Sequence, residues 1–503
     1  MTGALASTRP TLHDGLRRWA TATPDRVAVS DSVDHVTFGE LLPLVESTAA
    51  NVRAAMADTH ARAYVPVLVD RSVGSAVAML ACALGGVRFF PVDAAAPREL
   101  IGRLVQRAGG PACYLSGSGE HPALASASMV EVAADAVAGA PPPPARDDQP
   151  AVVLFSSGST GVPKGIVLSW SAMDQRWRSR DARADEMDAG DRRQPLIMPL
   201  DSSWGLNQIT DVASGFTVRI VDVQRMRPSE FLAEMATFAP TAIALPSQLG
   251  RILAQLPEHS VVRLPSVRRI NIGSEGFRYE YVKALGRIFE PDAAVVHTLS
   301  STEGSREIGN TFALRDCPDE GQVHLGHTLF PGDLRVVPVP GLADGVGEVH
   351  VSGAIASGYL DDPELTAARF YEDADGRSWW RSGDLVSVDH TGMYRHEGRM
   401  DDVVKVGGKL ASPSEVTAVL QGIEGVVAAI TVPVVTDGNT RLVSHVEIES
   451  GAEVTLEEVR ATLRTRLQPH AVPSAVMRHR RMPVNVRGKV DRQALADGPF
   501  EPW

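Results

Sequence analysis

Apolar residues recur along this chain with two periods, and their alternation predicts its layout. Leu12, Leu16 and Trp19 share one helical face, Val27-Ala28-Val29 is strand-like, and Leu41, Leu44 and Val45 return to helical spacing. Val65–Val69, an alanine-rich helix around Ala76 to Leu84, and Phe89–Asp93 then spell strand, helix, strand, which predicts a parallel α/β layer. Ala151-Val152-Val153-Leu154-Phe155 reads as a buried strand, and further strands end near Pro246, Gly273 and His297. Residues 196–207 are predicted to be a strand closing in a polar turn, with a helix from Gln208 to Val212 after it. Residues 138–150, centred on Pro141-Pro142-Pro143-Pro144, have the composition of an exposed connection within one domain.

The pattern changes after Gly398-Arg399-Met400-Asp401-Asp402. Ser412-Pro413-Ser414-Glu415 is a capping box with Pro at the first helical position, opening a helix with Val416, Val419, Leu420 and Ile423 on one face. Two strands, near Val426 to Val432 and Leu442 to Ile448, precede a capped helix from Thr455 with Leu456, Val459, Leu463 and Leu467 inward. The expectation is an α/β protein. Residues 1–398 form a large N-terminal domain of β-sheets flanked by helices, and residues 399–503 a small mobile α+β domain.

Composition narrows the function. With 44% hydrophobic and 22% charged residues over 503 positions, the chain has the make-up of a soluble protein of more than one domain. A formal net charge of −12 with no basic run argues against a nucleic-acid partner. No stretch reaches the roughly 20 apolar residues of a membrane span, and the N-terminus lacks the apolar core of a leader. Cys82, Cys113 and Cys317 show no metal spacing and no disulfide framework, so the expected location is the cytoplasm.

The most informative stretch is Ser156-Ser157-Gly158-Ser159-Thr160-Gly161-Val162-Pro163-Lys164-Gly165. Small residues let backbone N–H groups approach an anion, the hydroxyls add donors, and Lys164 adds positive charge, which suits phosphate. It is not a Walker A loop, because Pro163 precedes the Lys and Gly165 follows it.

This loop resembles that of the adenylate-forming superfamily, which contains acyl-CoA synthetases, peptide-synthetase adenylation domains and luciferases. Further matches follow in the family's order. The segment Gly85 to Leu100 resembles an early motif ending in a Pro-x-Asp turn, and Gly273-Ser274-Glu275 the adenine-side loop. Ser301-Thr302-Glu303-Gly304 resembles the family's Tyr-Gly-x-Thr-Glu motif, with Leu299 and Ser300 in place of Tyr and Gly. Alone, Ser-Thr-Glu is more often a helix cap. The string from Gly347 to Ala367 matches an architectural motif; Arg381-Ser382-Gly383-Asp384-Leu385 matches one whose Asp accepts the ribose hydroxyls, although Asp384 read singly is a turn carboxylate. Arg399 and Asp401 match the adenylate-contacting Arg and the hinge Asp, and Asn485-Val486-Arg487-Gly488-Lys489-Val490-Asp491-Arg492 the loop with the catalytic Lys.

The resemblance covers nearly the whole chain and implies activation of a carboxylic acid by ATP to acyl-AMP, with release of pyrophosphate. It implies that Ser156, Ser157, Gly158, Ser159, Thr160, Gly161, Lys164, Gly273, Ser274, Glu275, Thr302, Asp384 and Arg399 bind ATP or AMP, and that Glu303 holds Mg²⁺. Lys489 then neutralises charge between carboxylate and α-phosphate. Asp201, Ser203 and Trp204 fall where the family lines its acid pocket. Amino-acid-activating members carry there an Asp that binds the α-amino group; the corresponding residue here is Ser203, which points away from an ordinary α-amino acid. Trp204 is either core or a flat wall for an aromatic or heteroaromatic acid. Asp201 is either a turn residue or a base for an incoming amine.

The sequence stops at Trp503, soon after the Lys489 motif, and is read as a stand-alone enzyme. It looks most like the amide bond synthetases of actinobacterial natural-product pathways, of the β-carboline amide type, so the acyl acceptor is expected to be an amine. Thioester formation with coenzyme A or a carrier protein is the alternative, and a catalytically silent adenylate-binding protein a third reading.

Overall fold

A computed structural model of the chain describes residues 10–495, apart from 58–62, 111–112, 118, 126, 134, 136–147, 157–162, 185–191, 274–276, 322, 329–332, 343–344, 437–438, 450 and 484–493. Most of the proline-rich connection therefore lies outside the described residues. Two compact units emerge. One takes the residues up to Val323 with Val351–Trp380, the other His324–His350 with the residues from Arg381 on. Residues 324–350 and 381–398, which the sequence pattern assigned to the first domain, make their contacts within the second unit.

The first unit is α/β, as expected. Its largest sheet runs in the order Gly358–Tyr359, Lys164–Ser169, Pro150–Ser156, Phe89–Asp93, Val65–Val69, Cys113–Ser116, Ser128–Val130. The Val65–Val69 and Phe89–Asp93 strands are parallel and are joined by the helix Val73–Gly85. Every described position of that helix from Ser75 to Gly85 is buried, which explains its nearly continuous apolar sequence. A second sheet aligns Ala242–Pro246, Arg269–Gly273 and Ala294–Ser301 in parallel, and the last turns back antiparallel into Ser305–Ala313. A third orders His35–Thr37, Val27–Ser30, Thr217–Ile220 and Arg193–Leu196. Helices bury their apolar faces on these sheets, with Phe38, Leu41 and Val45 from Phe38–Ala55 among the fully covered side chains.

One local expectation is corrected. The strand ends at Leu196, and the helix spans Ser203–Thr210 rather than beginning at Gln208. Ser202 is the reason. Its hydroxyl accepts from the N–H of Gly205 at 2.9 Å and starts the helix early. Gly205 is required there, because a Cβ would lie 2.0 Å from the carbonyl oxygen of Pro199.

In the second unit, Val426–Thr436 and Asn439–Ile448 pair antiparallel, and Ala475–His479 joins parallel to the latter. Helices Pro413–Gln421 and Leu456–Arg466 contribute buried Val416, Leu420, Val459 and Leu463 to its core. These are residues the apolar stripes named. Ser412 caps the first helix, and Thr455 forms a full capping box with Glu458 on the second.

Candidate active site

The ends of the Gly-rich loop are held in register. Ser156 pairs with Lys164 across the antiparallel strands Pro150–Ser156 and Lys164–Ser169. The loop residues Ser157, Gly158, Ser159, Thr160 and Gly161 lie outside the described residues, as do Ser274, Glu275 and Lys489, and the Ser156 side chain is likewise undescribed. Arg107 steadies the loop's exit, donating from Nη1 to the Pro163 carbonyl at 2.8 Å and from Nη2 to that of Leu360 at 3.1 Å. Gly165 is needed at the start of the returning strand. A Cβ there would come within 3.0 Å of Leu360 and of the Phe155 ring.

Thr302 and Glu303 occupy the tight turn between Ala294–Ser301 and Ser305–Ala313. The turn closes with Ser305 at φ +71°, a left-handed conformation uncommon for a side-chain-bearing residue, and with the Gly304 N–H on Ser301 Oγ at 2.8 Å. Two residues brace it. Tyr359 donates its hydroxyl to Glu303 Oε1 at 3.1 Å; burial, and then the carboxylate itself, push that hydroxyl's pKa up, so it stays a donor. Tyr359 also pairs with Ile166, which places it beside the strand that Lys164 begins. Arg176, buried in the helix Trp170–Ala184, donates to the carbonyls of Thr302 and Glu303, each at 2.9 Å, and of Ala354 at 2.8 Å.

Neither brace was assigned by the sequence reading. Arg176 had left a signal, since it sits between Met173 and Trp177 on a stripe of buried positions, where a cation needs partners. Tyr359 falls within the Gly347 to Ala367 string, whose resemblance points to an architectural role.

The acid-side residues gather on the helix Ser203–Thr210 and the turn before it. The Trp204 ring lies 3.5 Å from where a Cβ on Gly273 would stand, and the Thr298 carbonyl is 3.8 Å from the same point. Trp204 is half-buried, so it is not sealed core. Ser203, with Arg176, Arg180, Asn207 and Met173, lines a small cavity. Asp201 is half-buried, and burial first, then the Asp93 carboxylate, raise its pKa from the ordinary aspartate value. Backbone N–H groups of Asp201 and Asp93, and the Arg71 guanidinium, pull the other way. Asp201 is therefore no isolated carboxylate.

In the second unit, Asp384 is buried and paired. Its Oδ1 accepts from Arg399 Nη1 at 2.8 Å, with His396 Nε2 at 3.5 Å, and Arg399 Nη2 also reaches the Ser382 carbonyl at 3.1 Å. The strands bring this pair together, because Asp384 faces Arg399 in antiparallel register. Asp401 lies in the single turn Met400–Asp402, 3.9 Å from Arg399 Nη2.

Residues 16–360 match the family described as AMP-binding enzymes. The chain belongs to that family. Among curated members, phenyloxazoline synthase MbtB from Mycobacterium sp. (strain MCS) is 32% identical over 96% of this chain. The chain spans 42% of the length of that relative. Two solved structures share the fold of this AMP-binding enzyme across nearly its whole length. O-succinylbenzoate coenzyme A synthetase MenE from Bacillus subtilis, in complex with AMP, superposes with a TM-score of 0.76 at 21% identity, covering 98% of this chain and 99% of its own. Amide bond synthetase McbA from Marinactinospora thermotolerans gives 0.75 at 23% identity, covering 96% and 99%. MenE has also been solved with ATP and a magnesium ion. Among the described residues of this chain, no helix is long and apolar enough to cross a membrane.

Proposed function

We propose that this AMP-binding enzyme uses ATP and Mg²⁺ to convert an aryl or heteroaryl carboxylic acid to its acyl-adenylate, and then transfers the acyl group to an amine. In the first step a carboxylate oxygen attacks the α-phosphorus and the bond to the bridging oxygen breaks, so pyrophosphate leaves. In the second the amine nitrogen attacks the acyl carbon, AMP leaves, and the surplus proton on nitrogen passes to a base. The observation that carries the reading is the brace around Glu303: its carboxylate is fixed by Tyr359 beside the strand that begins at Lys164.

The donor set fits the metal. Among the described residues no group of three or more His, Cys, Asp or Glu could cage an ion. Mg²⁺ is commonly held by one or two carboxylates together with substrate phosphates, and Glu303 supplies hard oxygen of that kind. Bound there, the ion would screen the triphosphate charge and favour departure of pyrophosphate. Lys164 and the hydroxyls of the loop would hold the β/γ end, Asp384 and Arg399 the nucleoside and phosphate, and Lys489 the charge that builds between carboxylate and α-phosphate. Because Asp384 is already bonded to Arg399, ribose recognition would use the carboxylate capacity that this pair leaves over.

Support for an aryl acid is the half-buried Trp204 ring against the side-chain-free face of Gly273. Support for an amine acceptor is Asp201, a carboxylate whose surroundings favour its protonated form and so make it a stronger base. The likeness to MenE, a coenzyme A synthetase, favours a second reading, delivery of the acyl group as a thioester to coenzyme A or to the thiol of a carrier protein.

The deciding experiment combines ATP, Mg²⁺ and a panel of aryl carboxylic acids with either coenzyme A or a simple primary amine, following pyrophosphate and product mass. Amide without coenzyme A, abolished by Lys489→Ala, is the expected result. Acyl-CoA with no enzyme-dependent amide establishes the thioester reading, and no pyrophosphate from any acid leaves a silent nucleotide-binding protein.

A further inference from the structure

The helix Trp170–Ala184 carries two arginines one turn apart, and each spends all three of its nitrogens on a different part of the candidate site. Arg176 reaches the carbonyls of Thr302, Glu303 and Ala354. Arg180 reaches Asp211 Oδ1 at 2.7 Å, Asn207 Oδ1 at 2.9 Å and Thr210 Oγ1 at 2.8 Å, at the far end of the helix that begins with Ser203 and Trp204. Residues at i and i+4 share a helical face, so one rigid element holds both.

We infer that Arg176 and Arg180, which both border the small cavity at Ser203, are positioning residues for different parts of the site: the hydrogen bonds of Arg176 set the turn that presents Thr302 and Glu303 to metal and phosphate, and those of Arg180 set the helix that presents Ser203 and Trp204 to the acid. The inference rests on the acid-activating reading above. A guanidinium offers a planar fork of donors that a lysine ammonium cannot reproduce, so the three carbonyls around Arg176 are held in one relative arrangement only while Arg is present. Ala354 precedes the strand with Tyr359, and the Ala356 N–H donates to the Glu303 carbonyl at 2.7 Å. Arg176 thus locks together the two segments whose contact orients the Glu303 carboxylate. Displacement of a positioned group by an ångström costs about a hundred-fold in rate when the group acts on the reacting centre. Arg180 does the same for the acid side, where its partners are side chains of one helix and the turn after it.

Pyrophosphate exchange with ATP, Mg²⁺ and benzoate or larger aryl carboxylates tests this through a crossed pattern. Arg176→Lys is expected to raise the half-saturating Mg²⁺ and ATP concentrations about ten-fold and leave the acid KM within about two-fold. Arg180→Lys is expected to do the reverse. A merely structural pair would lower the unfolding midpoint and move both constants together, and that outcome, or no shift in either, overturns the inference. Should a buried arginine variant not fold, Tyr359→Phe, which removes the hydroxyl bond to Glu303 Oε1, and Asn207→Ala, which removes a partner of Arg180, disturb the same two parts of the site with the same crossed expectation. Wild-type protein that exchanges with no acid sinks the functional reading and this inference with it; active wild type with uncrossed shifts sinks the inference alone.

Discussion

Asp201 and Asp93 show how one residue's chemistry is set by neighbours far away in sequence. Asp93 ends the strand Phe89–Asp93 and spends Oδ1 on the Ala95 N–H at 2.8 Å, yet its charge raises the pKa of Asp201, while Arg71 lowers it. Arg71 is held in place by the carbonyls of Ile197 and Met198, to which it donates at 2.8 and 3.0 Å. If Asp201 is the base for the amine, Asp201→Asn should slow acyl transfer by roughly a hundred-fold and leave pyrophosphate exchange nearly intact. The acid limb of the transfer rate should lie at higher pH than an ordinary aspartate gives. Because the Asp93 charge favours protonated Asp201, Asp93→Asn should move that limb to lower pH, and Arg71→Met to higher pH. Single-turnover transfer from preformed acyl-adenylate, measured across pH, checks all three; unchanged transfer in Asp201→Asn would remove the base role. The sequence showed Asp201 as a carboxylate near a pocket motif. It could not show Asp93 and Arg71 beside it, because no local spacing encodes that meeting.

At the scale of elements, the second unit contains a pH-sensitive contact. The parallel strands Asn439–Ile448 and Ala475–His479 bring His445 Nδ1 to 2.8 Å from His479 Nε2, with His445 buried. Burial, then the neighbouring imidazole, lower the pKa of His445 to about 4; His479 is also lowered, with Glu447 opposing. An unfolded chain protonates histidine near pH 6.5. Between those values the unfolded state binds more protons, so stability is complete above about pH 6.5 and is lost as the pH falls towards 4. A drop of roughly 5 °C in the unfolding midpoint from pH 7 to pH 5 is expected, and His445→Gln should flatten it. A midpoint with the same pH slope in both proteins would assign the effect to other groups. Elements of this kind were largely legible beforehand: the buried positions of Pro413–Gln421 and Leu456–Arg466 are those whose spacing fits a helix face. The early helix at Ser203 was missed because a one-residue cap, Ser202, outweighs the apolar pattern of Leu196-Ile197-Met198. The braces at Arg176 and Tyr359 were missed because they bridge elements that the chain visits 126 and 56 residues apart.

For the whole molecule the question is whether the chain pivots between the activation and transfer steps proposed above, and at which residue. The family resemblance points to Asp401, whereas residues 381–398 already make their contacts with the second unit. The two positions predict different behaviour. Asp401 lies in the short turn Met400–Asp402, between the strand Tyr394–Arg399 and the hairpin of Val404–Val406 and Lys409–Ala411. Proline fixes φ near −65°, which such a turn accommodates, and restricts the residue before it. If rotation about Asp401 carries the second domain from an activating to a transferring arrangement, Asp401→Pro should leave pyrophosphate exchange within about two-fold and slow product formation more than ten-fold. Asp401→Ala, which keeps the backbone free, should do neither. Exchange and transfer both unaffected in the proline variant would move the pivot to one of the crossings near 323, 350 or 380, where the chain passes between the two units. Loss of both steps with an unchanged unfolding midpoint would mean that the turn serves activation itself, through the Arg399 it follows. The paired assay separates these outcomes because activation is read by exchange alone, before any acceptor is added.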